Sequence, residues 1–185
     1  MNNKYLPEVI KGLEKIKSDS INTFGSLDGE QLNWKPSPGK WSIGQCFDHL
    51  MVSNKTYFPE LTSVINGEEI KNFWKKVPLL SGFSGTFLLK SLVSRNRKFK
   101  APDIFEPSSG TISTEIINDF SVHQDTLLDL IRQSDKFDHE EIIITSPVAK
   151  FITYSLTDTF SILSAHEQRH YEQAERVLKS EAFPK

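Results

Sequence analysis

The chain has 185 residues, and its 22 Lys and Arg against 24 Asp and Glu give a formal net charge of −2. This balance argues against a dedicated nucleic-acid-binding protein, because such proteins usually carry a strong basic excess. The single cysteine, Cys46, excludes an internal disulfide framework and a cysteine-rich zinc cluster. No apolar run approaches the roughly 20 residues that span a bilayer. We expect one cytoplasmic domain over residues 1–185, with a small-molecule substrate and with no nucleic-acid or membrane partner.

Apolar residues recur at helical spacing in the first third of the chain. They predict a first helix that begins near Leu6 and ends at Gly25. A second helix is predicted to begin after Ser42, because the glutamine three residues later completes a capping-box pattern. This helix should extend to about Asn66, with a kink or interruption at Pro59 because proline cannot donate a helical hydrogen bond.

Two further helices are predicted in the second half of the chain. The third should begin near Ile112 or Ser113 and end at about Gln133. The fourth should begin at Ser155, which opens another capping-box pattern, and continue to about Ser180. Residues 140–145 are interpreted as a short strand or an extended connector before this last helix.

The connection between the second and third helices is roughly 45 residues long, whereas helices in a bundle are usually joined by about 2–8 residues. A connection of that length can cross over the bundle and let the flanking helices run parallel. Within it we predict a short helix at 82–93, which would pack on the bundle or form a homodimer contact. The basic run at 95–100 is interpreted as a solvated loop or a surface that pairs with carboxylates, with nucleic-acid binding as the alternative. The predicted fold is all-α: a four-helix bundle with a long crossover between helices 2 and 3.

The histidines of the fourth predicted helix carry the functional argument. His166 and His170 are one turn apart, so they share a face, and that face also carries the apolar stripe. A buried imidazole without a partner costs roughly 1–3 kcal/mol. A metal ion would satisfy both rings at once. Hydrogen bonds to carbonyl or carboxylate groups are the alternative.

Another histidine supplies a third candidate ligand. His49 lies on the second predicted helix, which is apolar on several faces and should therefore be buried. Two ligands from one helix and one from a facing helix would build a metal site with open coordination positions. His123 is a candidate fourth ligand, a base near the site or a core residue. His139 lies in a polar turn and is predicted to be solvated.

Residues 166–170 also match H-E-x-x-H, the metalloprotease pattern in which the glutamate activates bound water. The downstream glycine and histidine of the extended form are missing, so we place the third ligand upstream. Glu167 is a candidate catalytic base, and an ion pair with a lysine or arginine at the rim is the alternative. Cys46 is either a ligand or reactive thiol, or a buried inert cysteine.

These motifs resemble those of the DinB-like (DinB/YfiT) superfamily, and within it the DinB_2 branch. Residues 33–36 and 40–50 resemble the family's entry to the second helix. Residues 164–174 resemble its last helix, and residues 98–102 with 105–107 resemble its crossover. The similarity covers nearly the whole chain.

The resemblance implies a bundle of up-down-down-up topology and a divalent metal, zinc or nickel, held by His49, His166 and His170. Characterised members include bacillithiol S-transferases and mycothiol-dependent maleylpyruvate isomerases, in which the metal activates a thiol. We therefore expect a metal-dependent enzyme, with transfer of a low-molecular-weight thiol as the leading hypothesis. A metal-dependent hydrolase of small molecules and a non-catalytic metal-binding or stress-response module are the alternatives.

Overall fold

The computed structural model describes residues 1–68, 105–108, 110–147 and 151–185. Within these ranges the chain is mostly helical, with one small two-stranded sheet. The helices are α1 (Leu6–Phe24), α2 (Gly29–Asn33), α3 (Ile43–Lys55), α4 (Phe58–Ile65), α5 (Ile116–Ser134) and α6 (Leu156–Leu178), and the strands are β1 (Ile143–Thr145) and β2 (Thr153–Ser155). The short helix predicted at 82–93 and the basic run at 95–100 lie outside the described residues.

The first predicted helix is confirmed as α1, which begins at Leu6 and ends immediately before Gly25. The five-residue helix α2 was not predicted. It forms because Asp28 and Gln31 make a complete capping box, in which each side chain accepts from the backbone N–H of the other residue. The sequence analysis placed only the end of α1 in this region, because Gly29 is typical of a turn.

The second predicted helix is divided into α3 and α4. Its start is confirmed, since Ser42 and Gln45 form the reciprocal hydrogen bonds of a capping box. The predicted interruption is confirmed as well: α3 ends at Lys55, and Pro59 lies in the first turn of α4. That position tolerates proline, because the first N–H groups of a helix have no partner within it.

The last two helices differ from their predicted bounds by a few residues. α5 begins later than predicted, at Ile116, because the preceding residues form a turn in which Ser113 accepts hydrogen bonds from two backbone N–H groups. α6 begins as predicted after Ser155, whose side chain accepts from the backbone N–H of Asp158.

The sheet pairs β1 with β2 in antiparallel register, with Ile143 opposite Ser155 and Thr145 opposite Thr153. β1 confirms a strand for residues 143–145 of the stretch 140–145, whose first two residues form a turn. β2 was missed because its three residues directly precede a helix cap and are too few to show an alternating pattern. The described fold is therefore mostly helical rather than purely α-helical.

The long helices bury two apolar clusters. α1 and α3 each pack against both α5 and α6. One cluster contains Leu6, Leu127 and Leu163, and the other contains Phe47, Phe120 and Ala174. Along α1, α5 and α6 one cluster follows the other, whereas α3 contributes buried apolar residues to the second cluster alone. Among the described helices, none is both long and apolar enough to cross a membrane.

The close approach of α3 to the chain before α5 yields a prediction about Gly44. A Cβ at Gly44 would lie 2.9 Å from the Ile112 Cγ2 atom and 3.1 Å from the Leu32 carbonyl oxygen. Gly44→Ala should therefore lower the free energy of unfolding by about 1–3 kcal/mol, measured by urea denaturation. The control is Gly12→Ala in α1, where the added Cβ meets Ser164 Oγ at an ordinary 3.5 Å. That change should raise stability by up to about 1 kcal/mol, since alanine favours helix. Equal effects of the two changes would contradict the close packing.

Candidate metal centre

Three imidazoles from two helices meet inside the fold. His49 comes from α3, and His166 and His170 come from α6. One ring nitrogen of each residue can be chosen so that all three lie within 4.8 Å of one another. The ring centroids are 5.0 Å apart for His49 and His166, 4.5 Å for His49 and His170, and 4.7 Å for His166 and His170. The structure thus brings together the three residues that the sequence analysis selected as ligands.

The local structure explains why these rings converge. His166 and His170 are one turn apart on α6, so they project from the same face. α6 packs against α3, where the capping box at Ser42 fixes the start of the helix. His49 is 3% exposed, which confirms the predicted inward direction, and His170 is also buried. His166 is partly exposed, so the cluster lies where the interior meets the surface.

A backbone carbonyl fixes the protonation of His49. Its Nδ1 atom is 2.5 Å from the carbonyl oxygen of Phe105. Because a carbonyl oxygen can only accept, Nδ1 carries the hydrogen, and Nε2 of the neutral ring presents a lone pair. That Nε2 atom lies 3.0 Å from Nε2 of His166. Histidines that bind metals are usually held in this way, with one nitrogen bonded to a carbonyl and the other facing the ion.

The cluster fits a divalent metal ion. A single proton can join the facing nitrogens of His49 and His166, but it does not reach the third ring, which has a side-chain hydrogen bond with Gln173. Among the described residues, Nδ1 of His170 is buried and has no hydrogen-bond partner. Imidazole nitrogen is a good ligand for zinc and nickel, and a cation would accept lone pairs from all three rings. Three protein ligands would leave coordination positions open for water or substrate.

The surroundings keep the three rings neutral. Burial lowers the pKa of His49, although the Phe105 carbonyl opposes this effect. Burial, and then the neighbouring imidazole of His49, lowers the pKa of His166 to about 3. The pKa of His170 is well below its usual value for the same reasons, burial first. Metal binding requires neutral imidazole, so near pH 7 these rings would not have to lose protons before binding an ion.

The indole of Trp41 covers one side of the cluster. Its ring stacks on His170, with centroids 5.5 Å apart and planes 26° apart, and lies 4.7 Å from His49. Trp41 directly precedes the Ser42 cap, so the start of α3 sets the position of the indole. The sequence analysis missed this residue. The signal that could have indicated it is its position directly before the N-cap of the helix that carries His49.

Glu167 is fully buried beside the cluster, and its pairing differs from the predicted alternative. Its carboxylate accepts hydrogen bonds from Asn54 Nδ2 at 2.7 Å and from Gln124 Nε2. The prediction of an ion pair at the rim is therefore wrong, because the partners are neutral amides from α3 and α5. Burial raises the pKa of Glu167 to about 8, and the two amide hydrogen bonds oppose the rise. Its assignment as a catalytic base stays a prediction.

Two other candidates lie outside the cluster. His123 stacks on Phe58 with ring centroids 5.1 Å apart, and burial lowers its pKa to about 4. Cys46 is fully buried within an apolar cluster, and burial raises its pKa to about 12. A thiol with such a pKa stays protonated and unreactive near neutral pH, which agrees with the inert alternative for Cys46.

The prediction that His139 is solvated is wrong, because this side chain is fully buried. Its Nδ1 atom is 2.7 Å from the Tyr5 hydroxyl, and its Nε2 atom is 3.1 Å from the Ser134 hydroxyl. The N-terminal segment packs over the turn, and Asn3 is tied to Asp135 by hydrogen bonds. The polar neighbours of His139 in the sequence gave no sign of this distant contact.

The fold and the cluster define a mostly helical protein with a candidate centre for a divalent metal. Comparison with protein families is more specific: the DinB_2 model, described as DinB superfamily, matches residues 13–174, a range that includes all three clustered histidines. The chain belongs to the DinB superfamily. It is 27% identical over 164 residues to the uncharacterized protein YuaE of Bacillus subtilis (strain 168), across 88% of this chain and 93% of that protein. No solved structure gives a significant match.

The buried, neutral state of His123 yields a prediction about pH. Its pKa of about 4 in the folded chain is below the unfolded value of 6.5, so the folded state binds fewer protons and its stability falls as the pH drops below 6.5. His123→Leu removes this titration. Between pH 7 and 4.5, the variant should lose about 2 kcal/mol less unfolding free energy than the wild-type chain. Urea denaturation with a chelator present measures this difference. The same loss in both chains would show that His123 is not buried as the neutral form.

Proposed function

We propose that this chain is a metal-dependent enzyme that transfers a low-molecular-weight thiol to a small electrophilic substrate. In this proposal His49, His166 and His170 hold a zinc or nickel ion. The convergence of three imidazoles, with His49 oriented by a backbone carbonyl, is the observation that carries it. When bound, such an ion supplies Lewis acidity, which lowers the pKa of a thiol so that the nucleophilic thiolate exists near neutral pH.

The state of the chain's own cysteine supports a reaction in which the thiol belongs to a second molecule. Cys46 is the single cysteine of the sequence, and burial keeps its thiol protonated and out of reach of substrates. The reacting sulfur would therefore come from a second molecule. The partial exposure of His166 gives small molecules an approach to the cluster, and Trp41 forms an aromatic wall beside it.

Glu167 is the candidate general base of this proposal. With a pKa of about 8 the Glu167 carboxyl group is mostly protonated at pH 7, and its ionised fraction, which increases with pH, is the form that can accept a proton. Its side chain lies on α6 directly after His166, one of the proposed ligands. Direct contact with a substrate would require its carboxylate to leave Asn54 or Gln124, which hold it in the described conformation.

We also propose that residues 1–185 form one domain, a four-helix bundle of up-down-down-up topology. The packing of α1 and α3 against both α5 and α6 supports this arrangement, since opposite helices of a bundle share their two neighbours. In that topology the second and third long helical segments run parallel.

Metal analysis tests the proposed centre. The chain purified without an affinity tag should contain about one zinc or nickel ion, because the three ligands define one site. His49→Ala, His166→Ala and His170→Ala should each lower the bound metal at least about tenfold, measured by elemental analysis after dialysis. His123→Ala is the matched control, because this histidine is buried but lies outside the cluster, and it should retain the metal. Full metal content in all three cluster variants would refute the site.

A conjugation assay tests the proposed reaction. The metal-loaded chain should accelerate the reaction of monochlorobimane with a low-molecular-weight thiol, followed by the fluorescence of the conjugate. The acceleration should disappear with a chelator and in His170→Ala, because both changes remove the ion that activates the thiol. If no thiol in a broad panel reacts faster with the metal-loaded chain, the hydrolase or the non-catalytic module becomes the better assignment.

A further inference from the structure

Buried polar residues form a layer between the two apolar clusters. On α6, one cluster ends at Leu163 and the other begins at Tyr171, and on α5 the clusters are separated between Phe120 and Leu127. On α3 the apolar cluster ends at Met51. Five buried residues in these gaps are named here the polar layer: Ser53, Asn54, His123, Gln124 and Glu167.

The polar layer contains side-chain atoms that lack hydrogen bonds. Glu167 accepts from the amide nitrogens of Asn54 and Gln124, and both amide residues are 0% exposed. Within the described part of the chain, four buried atoms of the layer have no hydrogen-bond partner: Asn54 Oδ1, Gln124 Oε1, Ser53 Oγ and His123 Nε2. Folded proteins leave very few buried polar atoms unpaired, so four in one layer require an explanation.

The chemistry of these atoms specifies what would satisfy them. The amide nitrogens of Asn54 and Gln124 are committed to Glu167, so the remaining amide oxygens can only accept. Each amide oxygen lies about 2.2 Å from its own nitrogen, and hence within about 5 Å of a Glu167 oxygen. The occupant must therefore carry N–H or O–H donors. An apolar or anionic occupant would leave each acceptor unpaired, at a cost of roughly 1–3 kcal/mol.

We propose that the polar layer is a binding site for a hydrogen-bond donor, seated on Asn54 Oδ1, on Gln124 Oε1 or on both, beside the Glu167 carboxyl group. The donor is the O–H of an ordered water or the N–H or O–H of a bound small molecule. The site adjoins the candidate metal centre, because Asn54 follows His49 by about 7.5 Å along α3 and Glu167 directly follows His166. The proposal stands on the unpaired acceptors and does not require the metal or the proposed transferase reaction.

Crystal structures of the full chain test the site and identify the source of the donor. Crystals grown without added ligand should show a discrete peak within about 3.2 Å of Asn54 Oδ1 or Gln124 Oε1, which identifies water as the donor. Parallel crystals soaked in methylammonium chloride supply a small probe. A peak that appears only after the soak would support the site and identify a ligand amine as the donor. The absence of a peak near both oxygens in both crystals would overturn the proposal.

Variants extend the test to solution. Gln124→Met keeps the length of the side chain but removes the acceptor, so the number of long-lived buried waters measured by ¹⁷O relaxation dispersion should fall by at least one. The matched control, Gln133→Met, changes an exposed glutamine on the same helix and should leave that number unchanged. Circular dichroism confirms that each variant folds. If water is the crystallographic donor, equal numbers of buried waters in folded wild-type and Gln124→Met chains would contradict the proposal.

Discussion

The burial of polar side chains between the two apolar clusters is the constraint on which the rest of the structure depends. An interior carboxylate or amide is tolerated only when hydrogen bonds replace those that water would make. Glu167 on α6 meets this requirement through Asn54 on α3 and Gln124 on α5. These two hydrogen bonds tie three helices together at one level. They therefore hold α6 against α3, which is the contact that brings His49 to the other two imidazoles.

In the candidate metal centre, hydrogen bonds and ring contacts hold the imidazoles in place, and one of the three imidazoles is partly exposed. The start of α3 is fixed by a capping box, and the indole that precedes it lies against two of the rings. Burial lowers the pKa of each imidazole, and His166 is the one of the three that is partly exposed. Neutral nitrogen ligands with open coordination positions are typical of catalytic rather than structural metal sites. This combination supports a catalytic role better than a purely structural one.

Sequence reasoning located the elements whose signals are local. The spacing of apolar residues and the capping patterns predicted α1, α3 and α6 within a few residues, and the pair at His166 and His170 pointed to the cluster. The misses at His139 and Glu167 share one physical cause, since both depend on contacts between distant parts of the chain, whereas α2 and β2 were missed because they are short. His139 is buried by Tyr5, 134 residues away, and Glu167 is paired with Asn54, 113 residues away. The spacing of apolar residues around Tyr5 and Asn54 does not indicate either contact.

The hydrogen bond between His49 and residue 105 has a consequence for sequence divergence. The acceptor is a main-chain carbonyl, so it is present whatever side chain occupies that position. The Phe105 side chain is itself buried, and its replacement by another bulky apolar group would preserve both the space it fills and the chain path. The orientation of the His49 imidazole therefore does not depend directly on which side chain residue 105 carries. A substitution at position 105 that keeps the chain path would therefore keep the carbonyl that orients His49.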